Sequence, residues 1–191
     1  PMVLATGIAT EEDIQLAVEA CRRMGNNDIT VLKCTSSYPA PVEEANLCMI
    51  RDLAERFQVK SGLSDHTLGS VSPIVAVTQG ASMIEKHFIL NRSIGGPDCS
   101  FSMEEKDFAQ MVKDVRMAEL SLGKTTYELT EKMRGSRSAS RSLYVAEDMK
   151  AGEVITERNV RSVRPGFGLH PKYLKDILGK NVNRDLEKGT R

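Results

Sequence analysis

Apolar and β-branched residues gather in four short runs, Met2–Thr6, Thr30–Lys33, Lys60–Ser64 and Ala81–His87, each followed by a stretch whose apolar positions recur at helical spacing. Behind the first run, Thr10-Glu11-Glu12-Asp13 has the form of a helix start. A threonine N-cap and a carboxylate three residues on answer the free amides of the first turn. Ile14, Leu16, Ala17, Val18 and Cys21 then supply its buried face. A second helix is predicted from about Pro41 to Phe57, with Pro41 suited to the first turn. A third is predicted over Ser72–Gln79, and a fourth over Glu104–Leu122 with Phe108, Met111, Val112, Val115, Met117 and Leu120 as its apolar positions. Strand-helix units in series predict an α/β fold, a parallel sheet under helices: either an open doubly wound sheet or half of an eight-unit barrel. Periodicity does not separate the two.

The pattern changes at Thr125. From there to Ser142 the chain is polar and basic, with Gly135, Ser136, Ser138 and Ser140 and no sustained apolar period, which predicts a linker over 125–140. Beyond it Ser142–Ala146 and Val160–Val163 are strand-like and Asp148–Glu153 turn-like, so residues 141–191 are expected to form a small, mostly β module. Residues 1–124 form the larger domain.

Charge and composition narrow the function classes. Lysine plus arginine (26) equals aspartate plus glutamate (26), which leaves no electrostatic footprint for nucleic acid or an anionic membrane. Any anion must be held by local geometry. The longest apolar runs, such as Val71–Val77, fall far short of the ~20 residues of a membrane span. Pro1-Met2-Val3-Leu4 lacks the basic and long apolar segments of an export signal. Cys21, Cys34, Cys48 and Cys99 have no zinc-site spacing and are expected to be buried free thiols in a cytoplasmic protein.

Polar residues cluster directly after the strands, at Thr6-Gly7, Thr35-Ser36-Ser37-Tyr38, Ser64-Asp65-His66-Thr67 and Glu85-Lys86-His87. That is the rim where parallel α/β folds build their sites. His66 and His87 end successive strands and could converge on one divalent metal, with Asp65 and Glu85 as further ligands or orienting partners. Equally, each could cap its strand by hydrogen bonding. The hydroxyls of Thr6, Thr35, Ser36, Ser37, Ser64 and Thr67 suit phosphate or carboxylate oxygens, though helix capping uses the same residues. Neither GxGxxG nor GxxxxGK[ST] is present, so dinucleotide and P-loop chemistry lack their glycines. Arg164 precedes Pro165-Gly166-Phe167-Gly168, a preset turn under a guanidinium; a solvated loop arginine has the same pattern. His170 has a structural setting in Gly168-Leu169-His170-Pro171. Lys33 and Lys86 lie on strands without a local feature that would depress their pKa for Schiff-base chemistry.

Three segments, Leu32-Lys33-Cys34-Thr35-Ser36-Ser37-Tyr38-Pro39, Gly62-Leu63-Ser64-Asp65-His66-Thr67-Leu68-Gly69 and Ile84-Glu85-Lys86-His87-Phe88, resemble in this order the sialic acid synthase family. The segment Arg141–Arg191 resembles the family's SAF (antifreeze-like) domain. Ala81 to Asn91, Phe101-Ser102-Met103 and Gly168-Leu169-His170-Pro171-Lys172 are most similar to its pseudaminic branch. The resemblance covers essentially the whole chain. It implies the second half (strands 5 to 8) of a (β/α)8 TIM barrel followed by the SAF domain. It also implies a transferase that condenses phosphoenolpyruvate with an N-acylamino sugar, 2,4-diacetamido-2,4,6-trideoxy-L-altrose in the pseudaminic branch, with release of phosphate. N-acetylneuraminate or legionaminate synthesis, and a non-catalytic carbohydrate-binding fragment, are the alternatives; an aldolase-like barrel of another class is a further one.

By motif match, His66 and His87 hold a divalent metal, Mn2+ or Mg2+, that polarises the sugar aldehyde. Glu85 is the candidate acid/base group and Tyr38 contacts the sugar and its metal-bound end. Ser64 contacts phosphoenolpyruvate, Thr6 and Ser36 are further substrate-binding positions, and Asp98 is an acidic site position. Arg164 reaches the sugar's N-acyl group across a domain-swapped homodimer. Ala5 stands where the family often has a serine near the phosphate, and Ser36 where some members have an asparagine near the sugar. The resemblance further implies that barrel strands one to four, with the lysines that bind phosphoenolpyruvate, lie outside these 191 residues, which alone would show little or no activity.

Overall fold

The computed structural model describes residues 1–191 and resolves them into two compact units, Pro1–Lys124 and Thr125–Arg191. In the first, β1 (Met2–Ala5), β2 (Ile29–Cys34), β3 (Lys60–Asp65) and β4 (Ile84–Lys86) form one parallel sheet in the order β1-β2-β3-β4. Leu4 stands opposite Val31, Val31 opposite Ser61, and Ser64 opposite Glu85. A doubly wound sheet reverses its strand order and carries helices on both faces. Here the order never reverses.

The helices α1 (Glu11–Arg23), α2 (Met49–Phe57), α3 (Val71–Thr78) and α4 (Glu105–Leu122) cover one face. Alternate strand residues show this. Ile29 and Val31 pack with Ile14, Val18, Leu53 and Phe57. Leu63 packs with Ile50 and Ala76, and Ile84 with Val77, Met111 and Val115. Intervening positions, including Ser64 and Glu85, therefore point to the opposite face, as the two-residue strand period requires.

Local chemistry sets the boundaries. Thr10 caps α1 reciprocally: its hydroxyl accepts from the Asp13 N–H, and its own N–H donates to the Asp13 carboxylate at 2.9 Å. The second helix is shorter than predicted. After a 3₁₀ turn at Val42–Glu44, Asn46 adopts φ +45°, which interrupts helical backbone, and α2 begins only at Met49. The fourth strand is also shorter than Ala81–His87. The Ala81 N–H bonds back to the Ala76 carbonyl, and His87 leaves the sheet to pair with residue 103.

In the second unit β5 (Ser142–Val145) and β6 (Val160–Val163) pair antiparallel, and Leu143, Val145, Met149, Val160 and Val182 form the core. The stretch expected to be a linker carries a short helix, α5 (Glu131–Ser136), whose first turn is capped by the Thr130 hydroxyl. All four cysteines are free, but only Cys34 is buried; Cys48 is exposed. The expectation of uniformly buried thiols is corrected by their place on the loops and helix faces. No helix is long and apolar enough to cross a membrane.

Candidate active site

β3 and β4 end one residue before His66 and His87, so the parallel register brings the two imidazoles to the same rim, with ring centroids 5.2 Å apart. His66 is buried, and its Nδ1 lies 2.8 Å from the Thr35 carbonyl oxygen. A carbonyl only accepts, so Nδ1 carries the proton and Nε2 keeps its lone pair for a ligand. His87 is set by a different device: the Met103 N–H donates to its carbonyl, the Ile89 N–H donates to the Met103 carbonyl, and its Nδ1 lies 3.6 Å from an Asp98 carboxylate oxygen.

An aromatic box surrounds the pair. The Tyr38 ring lies 4.2 Å from His66 and 5.8 Å from Phe101, and Phe101 lies 5.0 Å from His87. Phe101 is buried, whereas Tyr38 is about half exposed. Rings at these separations gain roughly 0.5–1.5 kcal/mol per pair beyond burial, which favours one setting of the imidazoles. Phe101 is a member of the site that the strand-end logic does not find, because it follows a loop rather than a strand.

The donor set fits a divalent ion. Two imidazoles bound at ~2.1 Å to one tetrahedral or octahedral ion have centroids about 5 Å apart, and the pair here is 5.2 Å apart. No group of three His, Cys, Asp or Glu side chains converges; an ion held by the two imidazoles would need its other positions filled by water or substrate. Asp65 does not act as the extra ligand or orienting partner considered for it. It faces the helical side of the sheet, where its carboxylate accepts from Lys86 Nζ at 2.6 Å and from the Thr67 N–H at 2.9 Å. That ion pair also removes Lys86 from Schiff-base chemistry.

Glu85 is exposed on the sheet's other face and accepts from the buried Ser64 hydroxyl at 2.7 Å. Thr6 accepts from the Cys34 N–H, tying β1 to β2 at the rim. Ser36 is exposed, and its hydroxyl lies beside Gly7, where an added Cβ would be 3.2 Å away. The structure therefore gathers Tyr38, His66, His87 and Asp98, pairs Ser64 with Glu85, and leaves Thr6 and Ser36 at the ends of β1 and β2. Lys33 departs from expectation, since burial lowers its pKa. It nevertheless lines a cavity among Ile14, Leu53 and Phe57 in the helical layer, away from the rim.

Arg164 lies in the second unit, exposed at the start of a loop held by the buried Ser142, whose hydroxyl donates to the Pro165 carbonyl and accepts from the Gly168 N–H. Gly168 has no room for a side chain: a Cβ there would meet the Leu143 carbonyl oxygen at 2.6 Å. His170 accepts from the Lys172 N–H, a structural role.

The NeuB family model matches residues 1–127 and the SAF domain model residues 140–190. The chain belongs to the NeuB family. Among its relatives, the pseudaminic acid synthase of Helicobacter pylori is 48% identical over the whole chain and 56% of that enzyme. The N,N'-diacetyllegionaminic acid synthase of Legionella pneumophila is 32% identical over the whole chain and 55% of that enzyme. The chain thus spans about half the length of the curated relatives it matches. The crystal structure of the Bacillus subtilis spore coat polysaccharide biosynthesis protein SpsE aligns over the whole chain and 59% of its own length, with TM-score 0.63 and 31% identity. The N-acetylneuraminic acid synthetase of Leptospira borgpetersenii, in complex with citrate, aligns over 70% of this chain and 47% of its own, with TM-score 0.64 and 31% identity. In this NeuB-family chain the sheet is a curled parallel half-barrel, accompanied by the small antiparallel sheet of an SAF domain.

Proposed function

We propose that this chain carries the metal-holding side of the active site of a sugar-acid synthase that condenses phosphoenolpyruvate with an N-acylamino sugar, and that its strands are the fifth to eighth of a (β/α)8 barrel. The observation that carries the reading is the convergence of His66 and His87, with Tyr38 stacked on His66, at the rim of a NeuB-family sheet. In the reaction, C3 of phosphoenolpyruvate attacks the sugar's aldehyde carbon, water adds at C2, and phosphate leaves. A divalent ion such as Mn2+ or Mg2+, held by His66 and His87, would supply Lewis-acid polarisation of the aldehyde. His66 offers Nε2 because Thr35 holds its Nδ1 proton, and Asp98, 3.6 Å from His87 Nδ1, stands on the side from which a carboxylate would orient that ring. Tyr38 keeps its phenol free toward the sugar. Glu85, steadied by the Ser64 hydroxyl, is placed to take or deliver a proton. We assign Thr6, Ser36 and Ser64 to substrate contacts. We assign Arg164 to the sugar's N-acyl group, supplied by a second copy of the chain in a domain-swapped dimer.

The pseudaminic precursor is the preferred sugar, supported by the higher identity to relatives named pseudaminic acid synthases than to those named for legionaminic acid. The test is phosphate release from phosphoenolpyruvate by the full-length protein with Mn2+. Turnover is expected with 2,4-diacetamido-2,4,6-trideoxy-L-altrose and not with N-acetylmannosamine; turnover only of the latter refutes the sugar assignment, and turnover of neither refutes the synthase. His66→Ala and His87→Ala should each lower Mn2+-dependent turnover by at least about 100-fold, and unchanged rates would remove the pair from the mechanism.

A further inference from the structure

We propose that Lys86 is a positioning residue that locks the spacing of the two histidines, acting through the residues on either side of His66. This rests on the metal reading above. The Lys86 ammonium donates to the Asp65 carboxylate at 2.6 Å and to the Thr67 carbonyl, while the Asp65 carboxylate also accepts from the Thr67 N–H at 2.9 Å. Both neighbours of His66 are therefore bound to one side chain, and that side chain belongs to the residue immediately before His87. Thr67 is tied further, its hydroxyl donating to Ser72 at the start of α3. One ammonium thus joins the backbone turn at one histidine to the strand end at the other.

Stability alone does not account for this arrangement. The side chains of Asp65 and Lys86 are each 1% exposed. Withdrawing two charges from water costs about as much as their attraction returns, and apolar replacements of similar volume commonly leave stability unchanged or higher. What the ion pair supplies and an apolar pair does not is direction: two hydrogen bonds from Lys86 across the gap between β3 and β4, and a third, from the Thr67 N–H to Asp65, that fixes the turn they reach. The imidazoles on the opposite side of those backbones take their separation from it. Lys86 faces the helices and its ammonium binds Asp65 and Thr67, so its effect on the site passes through the backbone at His66 and His87.

The experiment measures Mn2+ affinity of the full-length protein by the electron paramagnetic resonance of free Mn2+, with the thermal midpoint in parallel. The double variant Asp65→Leu/Lys86→Met, which also leaves the buried Thr67 N–H and carbonyl without these partners, should melt at a lower temperature and, measured below its midpoint, bind Mn2+ at least tenfold more weakly. Asp65→Asn/Lys86→Gln, uncharged but still able to hydrogen-bond, should recover affinity to within threefold of wild type. Should the Leu/Met pair not fold, Asp65→Asn/Lys86→Met, which keeps an acceptor for the Thr67 N–H and leaves no buried charge unpaired, provides the same tenfold test. Affinity within threefold of wild type in the Leu/Met pair, or in the Asn/Met pair where that stands in for it, overturns the proposal. Failure of the Asn/Gln pair to recover affinity overturns it as well. His66→Ala separates the two readings: unchanged Mn2+ binding in that variant overturns the metal site itself, and the role of Lys86 with it. Loss in His66→Ala without loss in the Lys86 variants overturns the role of Lys86 alone.

Discussion

His66 reserves one ring nitrogen for a ligand because the other faces a group that can only accept, the Thr35 carbonyl at 2.8 Å. Ser64 and Glu85 form a comparable unit: a buried hydroxyl aims an exposed carboxylate, and water can replace that hydroxyl if it is removed. Ser64→Ala therefore withdraws about 1 kcal/mol of orientation without leaving a buried group unpaired. A roughly fivefold fall in turnover at saturating phosphoenolpyruvate with no shift in the thermal midpoint is expected; steady-state phosphate release beside a melting curve checks it, and an unchanged rate would show that Ser64 is not needed to aim Glu85. At this scale the residue types were legible, since hydroxyls, carboxylates and imidazoles stood together in short segments. Their partners were not: Asp65 was a candidate companion of His66, yet the strand's two-residue period turns it to the helical face, where Lys86 lies.

Among the elements, the strand-helix alternation and the cap of α1 were readable because each depends on residues within four positions of one another. The late start of α2 was not, because asparagine tolerates a positive φ without requiring it, and Asn46 stands in a stretch of ordinary helical spacing. The close approach of β3 to the residue before β4 depends on Gly62 for want of space rather than for its φ. A Cβ there would collide with the Met83 carbonyl oxygen and lie 2.7 Å from Leu32 Cδ2. Backbone carbonyls do not move aside as side chains do, so Gly62→Ala is expected to cost about 1–3 kcal/mol or more and to separate the strands that carry the two histidines. Urea denaturation gives the loss of stability, and native-like stability would mean that β4 can shift.

For the molecule as a whole, pairs far apart in sequence hold the loops. In the second unit Asp185 accepts from Lys150 Nζ at 2.7 Å and from the Ala151 N–H at 2.9 Å. The Lys150 hydrogen bond holds the carboxyl below its ordinary pKa, helped by the backbone N–H; because the group is exposed, solvent screens much of the effect. A carboxyl whose pKa is lowered on folding adds stability above its unfolded value and loses it as pH falls through the folded one. Asp185→Asn should therefore lower the thermal midpoint at neutral pH, and the gap from wild type should close as pH falls below the unfolded carboxyl value of 3.8. A gap that stays constant into acid would show that charge plays no part.

The sequence by itself determined the alternation of four strands and four helices, the polar rim after the strands, and the family, and it offered the two histidines as candidate partners while leaving strand capping equally open. Those features rest on local spacing and on motifs that are contiguous along the chain. The tertiary structure decided the winding, because strand order is a property of neighbours and not of runs. It also decided which face each side chain meets. His66 finds its acceptor 31 residues away at Thr35, and Lys86 finds Asp65 across 21 residues. Such pairings exist only once parallel strands have brought distant segments into register, which is why the metal-side geometry could be suspected from the residues but not drawn from them.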